Sequence, residues 1–210
     1  MKEWSANHPK AKLMAQKRAS IVAAAKESFL KDGFSGISME SIAAAAGVSI
    51  MTLYRHAENK EDLFNAVLSE MCKFSEEERE AKFKETASLP LEGVLIDLGF
   101  KFQKKLCNEE TVALVRAVIA EANRFPDLAC SVFHSIVGEY KNNLSKYLSI
   151  RPETSGLSEE LRHQLSHQFF EDLIGSLVLR ALFGLPPTPS EEMTGRARYA
   201  ARKVIKASLT

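Results

Sequence analysis

The sequence predicts an all-α protein built from about nine helices. Apolar residues recur at helical spacing along most of the chain, and no segment shows sustained alternation of apolar and polar residues between turn residues. Glycine and proline residues interrupt the helical pattern at intervals, and these interruptions set the helix ends. We expect three helices in an N-terminal domain over residues 10–60, and the others in a C-terminal domain over residues 61–210.

Four predicted helices occupy the first 82 residues. Apolar residues from Ile21 to Leu30 recur at helical spacing in the first helix, and the Asp32-Gly33 pair ends it. Gly47 ends the second helix. The predicted ranges are about 10–31, 38–46, 49–55 and 59–82. The last three begin at residues whose side chains can cap the free backbone amides of a helix, namely Ser38, Ser49 and Asn59.

Proline-containing segments divide the rest of the chain into five more helices, predicted at about 90–106, 109–123, 127–149, 158–184 and 190–208. The sixth helix contains "VALVRAVIAEA" and is apolar on most sides, so we expect its neighbours to bury it centrally. The fifth helix carries one apolar stripe, formed by Leu91, Leu95, Leu98, Phe102 and Leu106.

Composition is typical of a globular cytoplasmic protein, with 45% apolar and 26% charged residues in a chain of 210. No apolar run approaches the roughly 20 residues that a membrane-spanning helix needs, so no membrane partner is expected. The N-terminus has lysines but lacks the apolar segment of a signal peptide. The cysteines are widely spaced and odd in number, which indicates reduced thiols rather than a disulfide framework: Cys72, Cys107 and Cys130.

The charge is unevenly distributed along the chain. Residues 1–60 contain nine lysines and arginines against five acidic residues, whereas the remaining 150 residues contain 19 basic and 22 acidic residues. The first 60 residues therefore carry a net charge of +4 and the rest carry −3. A basic end on a mildly acidic protein is suited to contact with a polyanion.

The segment "AAAAGVSIMTLYRHAENKEDLF", residues 43–64, has the features of a helix-turn-helix. Small residues from Ala43 onward allow two helices to approach closely, and Gly47 can adopt the positive φ that the turn requires. Ile42, Val48 and Leu53 supply apolar anchors on both sides. The second helix of such a motif presents its N-terminal residues to the major groove of DNA.

Several side chains in and around this helix are candidates for contact with DNA. Residues at the start of the helix are expected near base edges, while a phenol, a guanidinium and an imidazole can donate to phosphate oxygens. Free backbone amides at the start of the next helix also favour a phosphate. The candidates are Ser38, Ser49, Ile50, Met51, Thr52, Tyr54, Arg55, His56 and Lys60. The basic segment Lys10–Arg18 either tracks the DNA backbone or forms a solvated face.

"GVSIMTLYRHAENKEDLF", preceded by "GFSGISMESIAAAA", resembles the DNA-binding domain of the TetR family of transcriptional regulators over roughly residues 12–64. The resemblance implies that Tyr54, His56 and Lys60 hold phosphates and that Thr52 approaches a base or a phosphate. The sequence departs from the family pattern at Ala57, where an aromatic residue is usual and looser packing is expected. It also departs at Ile50 and Met51, where polar or very small residues are usual.

"EANRFPDLACSVF" and "DLIGSLVLRALFGLP" resemble the AefR-like class of TetR C-terminal domains over about residues 90–185. The resemblance implies a homodimer joined through the last two long helices, here 158–184 and 190–208. The residue pattern of the helix at 158–184 agrees with this. It has two apolar faces, so one can pack against the core of its own chain and the other against the partner chain. One face carries Leu161, Leu165 and Phe169, and the other carries Phe170, Ile174 and Leu177.

The C-terminal helices either form a solid core or enclose a cavity for an apolar small molecule, and the sequence does not separate the two. Residues considered for the lining of such a pocket are Phe102, Val118, Phe133 and Phe170.

A metal site is a further alternative, because His163, His167 and Glu171 follow one another at helical spacing. The HExxH order is absent, so we expect these histidines at the edge of a dimer or in solvent, with no metal or cofactor.

No GxSxG motif, P-loop or dinucleotide-binding glycine pattern is present, so no catalytic residue is predicted. The sequence and these resemblances favour a homodimeric transcriptional regulator that binds a palindromic DNA operator and releases it on binding a small, hydrophobic effector. That it represses rather than activates is what the resemblance to the TetR family implies. An all-helical enzyme and a helical DNA-binding protein that senses no ligand are the alternatives.

Overall fold

The computed structural model describes residues 9–72 and 76–208, and these ranges contain ten α-helices and no β-strand, which confirms the all-α prediction. Within these ranges no helix is both long and apolar enough to cross a membrane. The helices are α1 Pro9–Asp32, α2 Met39–Ala45, α3 Ile50–Tyr54, α4 Lys60–Cys72, α5 Glu76–Thr86, α6 Leu91–Leu106, α7 Glu109–Glu121, α8 Pro126–Ile150, α9 Glu159–Leu182 and α10 Ser190–Ser208.

Within the described ranges, the helix predicted over residues 59–82 corresponds to α4 and α5. Residues 73–75, which the predicted helix includes, lie outside the described part of the chain. The other predicted boundaries agree with the observed ones to within about two residues, as expected where caps and prolines set the ends.

Backbone packing divides the chain into two units. One contains the chain up to Cys72 together with Arg116–Ser135, and the other contains Lys73–Val115 with the chain from Ile136 onward. In the first unit α1 packs against α2 and α4, and α2 packs against α3. In the second unit α6, α9 and α10 pack against one another.

The core of the first unit is built around four aromatic rings. Phe34 is the central ring, because its centroid lies 5.7 Å from that of Phe29, 5.5 Å from that of Phe64 and 5.0 Å from that of Phe125. The first three rings are essentially inaccessible to solvent. Burial of one such side chain stabilises a fold by about 1.5–3 kcal/mol, so this cluster is a major source of the unit's stability.

A glycine turn ends α2 and sets the direction of α3. Gly47 has a φ of +65°, and its N–H donates to the carbonyl of Ala44 over 3.1 Å. The N–H of Val48 donates to the carbonyl of Ala43 over 3.0 Å. This pair of bonds is the Schellman motif, which requires a left-handed residue just after the helix. The hydroxyl of Ser20 on α1 donates to the carbonyl of Ala46 over 3.2 Å and ties the turn to α1.

Close contact between small residues joins the helices of the second unit. A Cβ atom placed on Gly99 of α6 would lie 3.0 Å from the Cβ of Ala197 on α10 and 3.3 Å from the side chain of Leu173 on α9. A larger residue at position 99 would therefore require these neighbours to move. Two of the α6 stripe residues, Leu98 and Leu106, are only partly buried, while Leu91, Leu95 and Phe102 are fully buried.

Helix α9 differs from the sequence expectation of two apolar faces on an unbroken helix. Phe169 and Phe170, which were assigned to opposite faces, are both buried in the same core. The helix also breaks at Gly175, where φ is 38° and ψ is −142°. The guanidinium of Arg196 on α10 lies 2.6 Å from the position a Cβ of Gly175 would occupy and donates to the hydroxyl of Ser176 over 3.1 Å.

The prediction that α7 is buried on most sides is wrong at its outer face. Leu114 and Val118 are buried, but Ile119 is exposed. Helical periodicity explains the difference, because neighbouring positions point about 100° apart and one packed face does not cover both.

The positive φ of Gly47 gives a testable prediction. Gly47→Ala places a side chain in the left-handed region, so we expect the free energy of unfolding to fall by about 1–2 kcal/mol. Gly93→Ala is the matched control, since Gly93 is an exposed residue inside α6 with open space around its missing Cβ. That change should stabilise the protein by about 0.5–1 kcal/mol. Urea unfolding measures both, and equal effects of the two changes would contradict the assignment of the turn.

Candidate DNA-binding surface

Helix α3 contains only five residues and depends on its surroundings for stability. Ser49 is its N-cap, since the N–H of Thr52 donates to Ser49 Oγ over 3.2 Å. Leu53 anchors the opposite side and is 0% exposed. Ala57, at the position where a larger aromatic residue is usual, is also buried. The cap and the buried anchor together fix which side of α3 is exposed.

The exposed side of α3 carries a mixed set of side chains. Met51 is 67% exposed, and Tyr54 and Arg55 are also exposed. Ile50 and Thr52 are half-buried. Met51 and Tyr54 therefore project from α3 itself, and the exposed Arg55 follows directly after it.

Ser38 and Ser49 have the same local role. Each accepts a hydrogen bond from the amide three residues later, Ser41 for α2 and Thr52 for α3, over 3.2 Å in both cases. Each hydroxyl also lies within hydrogen-bonding distance of the hydroxyl of the same residue. The two serines thus position the helix-turn-helix in the free protein, whatever further contact their exposed atoms make.

His56 follows α3 in a half-buried, electropositive environment. Burial lowers the pKa of its imidazole below the usual 6.5, and the positive charges of Arg18 and Lys17 on α1 lower it further. These two residues belong to the basic segment predicted at the N-terminus, and the structure brings them near α3. The side chains of Lys10 and Lys12 lie outside the described part of the chain.

Lys60, the third predicted phosphate ligand, is engaged within the protein. Its ammonium donates to the carbonyl of Ile37 over 2.9 Å and lies 4.7 Å from the centroid of the Phe34 ring. An ammonium has three donors, so two remain for other partners. These contacts hold the head of Lys60 at the start of α4 and connect it to the segment before α2.

Two hydrogen bonds between side chains and backbone amides cap the N-terminus of α4. The N–H of Asp62 donates to Asn59 Oδ1 over 2.7 Å, and Asp62 Oδ2 accepts from the N–H of Glu58 over 3.3 Å. Asp62 therefore accepts from the residue before the cap, Glu58, and not from the cap residue Asn59.

The four residues considered for a ligand pocket are placed very differently from one another. Phe102 and Phe170 are buried together in the second unit, with ring centroids 4.7 Å apart. Val118 is buried in the first unit, and Phe133 in the same unit is 69% exposed. Only Phe102 and Phe170 are therefore seen in contact.

The two histidines of the metal alternative are exposed on α9. His163 Nε2 lies 3.8 Å from Glu159, and His167 Nε2 lies 3.8 Å from Glu171. In the described ranges no group of three or more potential ligands is arranged to hold a metal ion. The thiols of Cys107 and Cys130 are free, and the side chain of Cys72 lies outside the described residues.

The lowered pKa of His56 predicts a pH dependence of stability. Between that lowered pKa and 6.5 the unfolded chain binds more protons at this site than the folded protein does, so stability rises with pH across this interval. Below the lowered pKa the loss of stability is complete. Urea unfolding of the wild type and of His56→Gln, from about pH 5 to about pH 8, should show a steeper acid-side loss for the wild type. Parallel curves for the two proteins would contradict the environment assigned to His56.

Two family models match the chain. The model for bacterial regulatory proteins of the tetR family matches residues 21–67, and the model for the C-terminal domain of AefR-like transcriptional repressors matches residues 93–207. The HTH-type transcriptional regulator UidR of Escherichia coli is 33% identical over 115 residues, which are 53% of this chain and 55% of UidR. The chain thus spans about half the length of the curated relatives it matches.

Two solved structures resemble this one over most of both chains. A protein from Mesorhizobium loti assigned to the TetR family of transcriptional regulators is 25% identical with a TM-score of 0.69, covering 92% of this chain and 97% of its own. The Flavonoid-responsive Regulator FrrA is 26% identical with a TM-score of 0.63, with the same coverage of 92% and 97%. These matches confirm both resemblances seen in the sequence. The chain belongs to the TetR family of transcriptional regulators and has an AefR-like C-terminal domain.

Proposed function

We propose that the protein is a homodimeric, DNA-binding transcriptional repressor that acts in the cytoplasm and leaves its operator when it binds a small hydrophobic molecule. The observation that carries the proposal is the exposed side of α3. Met51, Tyr54 and Arg55 project from a helix that is anchored on its other side, and His56 lies next to it among basic residues of α1.

The two kinds of contact are divided along α3. Ile50, Met51 and Thr52 enter the major groove first, where the apolar side chains of the first two meet thymine methyl groups. Tyr54 and His56 donate to phosphates and set the register of the helix on the duplex. Arg55 is exposed between them and reaches either a base or a phosphate.

Lys60 also contacts a phosphate. One of its three ammonium hydrogens donates to the carbonyl of Ile37, and the other two are available for the phosphate. Because its head is already held in the free protein, little side-chain entropy is lost when it meets a phosphate.

A dimer is needed because one such module reads only a short half-site. Two modules about 34–36 Å apart read a palindrome on one side of the duplex. Exposed apolar side chains at the end of α9 and on α10 offer a dimer surface: Leu179, Phe183, Leu185 and Tyr199. Large apolar side chains grouped on the surface are typical of protein interfaces.

The effector is a hydrophobic, aromatic molecule in this proposal. The core of the second unit is rich in aromatic rings, with Tyr140, Phe102 and Phe170 in mutual contact. FrrA is described as flavonoid-responsive, and flavonoids are aromatic. On binding, the effector changes the separation of the two α3 helices, so that only one half-site can be read at a time.

Fluorescence anisotropy on the DNA that flanks the protein's own gene tests this proposal. We expect tight binding that weakens with salt, because phosphate contacts release counterions. Tyr54→Phe should weaken binding by about 2–10-fold, the value of one hydrogen bond. Lys60→Ala should also lower the salt slope by about 0.9 for each phosphate that the variant no longer neutralises.

Lys101→Ala is the matched control, since Lys101 is exposed, lies in the second unit and is not part of the proposed dimer surface. Its binding to DNA should be unchanged. Salt-independent binding, or equal losses in test and control variants, would favour one of the alternative functions. Thermal melts are needed for Lys60→Ala, because its contacts with Ile37 and Phe34 also stabilise the fold.

The dimer is tested separately by Phe183→Glu. Phe183 is 77% exposed, and a carboxylate at this position would be buried without a partner in the dimer. We expect the dimer dissociation constant to rise by at least about tenfold in sedimentation equilibrium. Ile119→Glu, at a similarly exposed apolar residue of the other unit, should leave it unchanged. A monomeric wild type, or an unchanged Phe183→Glu variant, would contradict the assigned surface.

A further inference from the structure

Gln103 of α6 is a buried polar residue, and its side-chain oxygen receives no hydrogen bond from the described residues. The side chain is 0% exposed. Its amide nitrogen donates to the carbonyl of Gly99 over 3.1 Å and to the carbonyl of Met193 on α10 over 2.8 Å. Within the described part of the chain its Oε1 atom is buried and accepts no hydrogen bond.

The two donated bonds determine which atom remains free. An amide nitrogen has two hydrogens, and both are directed at carbonyl oxygens, which can only accept. A rotation that exchanged the nitrogen and the oxygen would place Oε1 against these carbonyls, so the observed orientation is fixed. Oε1 is therefore a preorganised acceptor in a region of low dielectric, where a missing donor is costly and a supplied one binds strongly.

Gln103 lies in the apolar core of the second unit, where Gly99, one turn earlier on α6, packs closely against α9 and α10. The adjoining face of α6 carries Phe102, whose ring lies 4.9 Å from that of Tyr140 and 4.7 Å from that of Phe170. Cys107, one turn after Gln103 and just past the end of α6, is half-buried. Burial raises the pKa of the Cys107 thiol, which keeps it uncharged. Neither position therefore brings a charged side chain to this part of the core.

We propose that Gln103 is the polar recognition residue for the effector, and that the effector is a neutral aromatic molecule with a hydrogen-bond donor, of the phenol class. The inference rests on the effector response in the proposed function. In this proposal the ring packs among the aromatic side chains of the same core, and the hydroxyl donates to Oε1. A carboxylate is rejected, because it brings only acceptors to a site that already holds an unpaired one.

The position of Gln103 also links recognition to the dimer. The amide nitrogen of Gln103 donates to the carbonyl of Met193 in the first turn of α10. This helix is one of the two assigned to the dimer surface. A donor at Oε1 therefore acts on a side chain that directly joins α6 and α10. No separate relay between the effector and the dimer helix is required.

The test compares two probes on three proteins by equilibrium dialysis. The probes are 2-naphthol and 2-methoxynaphthalene, which share a ring system but differ in the donor. The proteins are full-length wild type, Gln103→Met and Thr111→Val. Thr111 is the matched control, since its hydroxyl is also buried without a partner among the described residues of the same unit.

The wild type should bind 2-naphthol at least about tenfold more tightly than 2-methoxynaphthalene, the factor expected for one buried hydrogen bond. Gln103→Met, which is close in size and has no acceptor oxygen, should bring the ratio near one without weakening 2-methoxynaphthalene. Thr111→Val should keep the wild-type ratio. The preference should also appear as release of operator DNA by 2-naphthol alone.

An equal affinity of the wild type for both probes, or no binding of either, would overturn the proposal. So would an unchanged ratio in Gln103→Met, or the same loss in Thr111→Val, since general loosening of the core would then explain it. Anisotropy of each protein on DNA without a probe separates this failure from that of the proposed function. Wild-type protein that binds DNA but shows no preference for 2-naphthol refutes only the role of Gln103.

Discussion

The attachment of α3 to the rest of the first unit is the constraint on which the candidate DNA-binding surface depends. Five residues cannot maintain a helix in water by themselves. The Schellman turn at Gly47 sets the direction of the chain, Ser49 caps the new helix, and Leu53 buries its inner side completely. These three interactions determine the position of every outward side chain of α3. Loss of one of them would leave the sequence of the residues proposed to contact DNA intact but remove their common orientation.

The same surface concentrates positive charge in the free protein. The lowered pKa of His56 shows that its imidazole lies where another positive charge is unfavourable, because of burial and because of Arg18 and Lys17. Lys60 places an ammonium at the start of α4 and is stabilised there by a carbonyl and an aromatic face. A polyanion at this surface would relieve the repulsion between a protonated His56 and these two basic residues of α1. The electrostatics of the free protein therefore favour the phosphate contacts proposed above.

The second unit is organised by small and polar residues within an apolar core. Gly99 allows α6 to approach α9 and α10 closely, and Gln103 joins α6 to α10 one turn later. Gly175 breaks α9 and leaves space that the guanidinium of Arg196 occupies. The exposed apolar residues Leu179 and Phe183 follow this break. The direction of the segment that carries them is thus fixed by one glycine and one arginine, which hydrophobic periodicity alone does not reveal.

The sequence by itself determined the helical class, most helix ends, the glycine turn and the family. These features are encoded by residues close to one another in the chain, as the caps at Ser38, Ser49 and Asn59 illustrate. Only the tertiary structure decided which faces are covered, because burial depends on residues distant in sequence. It placed Phe169 and Phe170 in one core, held Lys60 against Ile37, and left an acceptor of Gln103 unpaired. Periodicity identifies an apolar face, but the partner of that face is specified only when the helices pack.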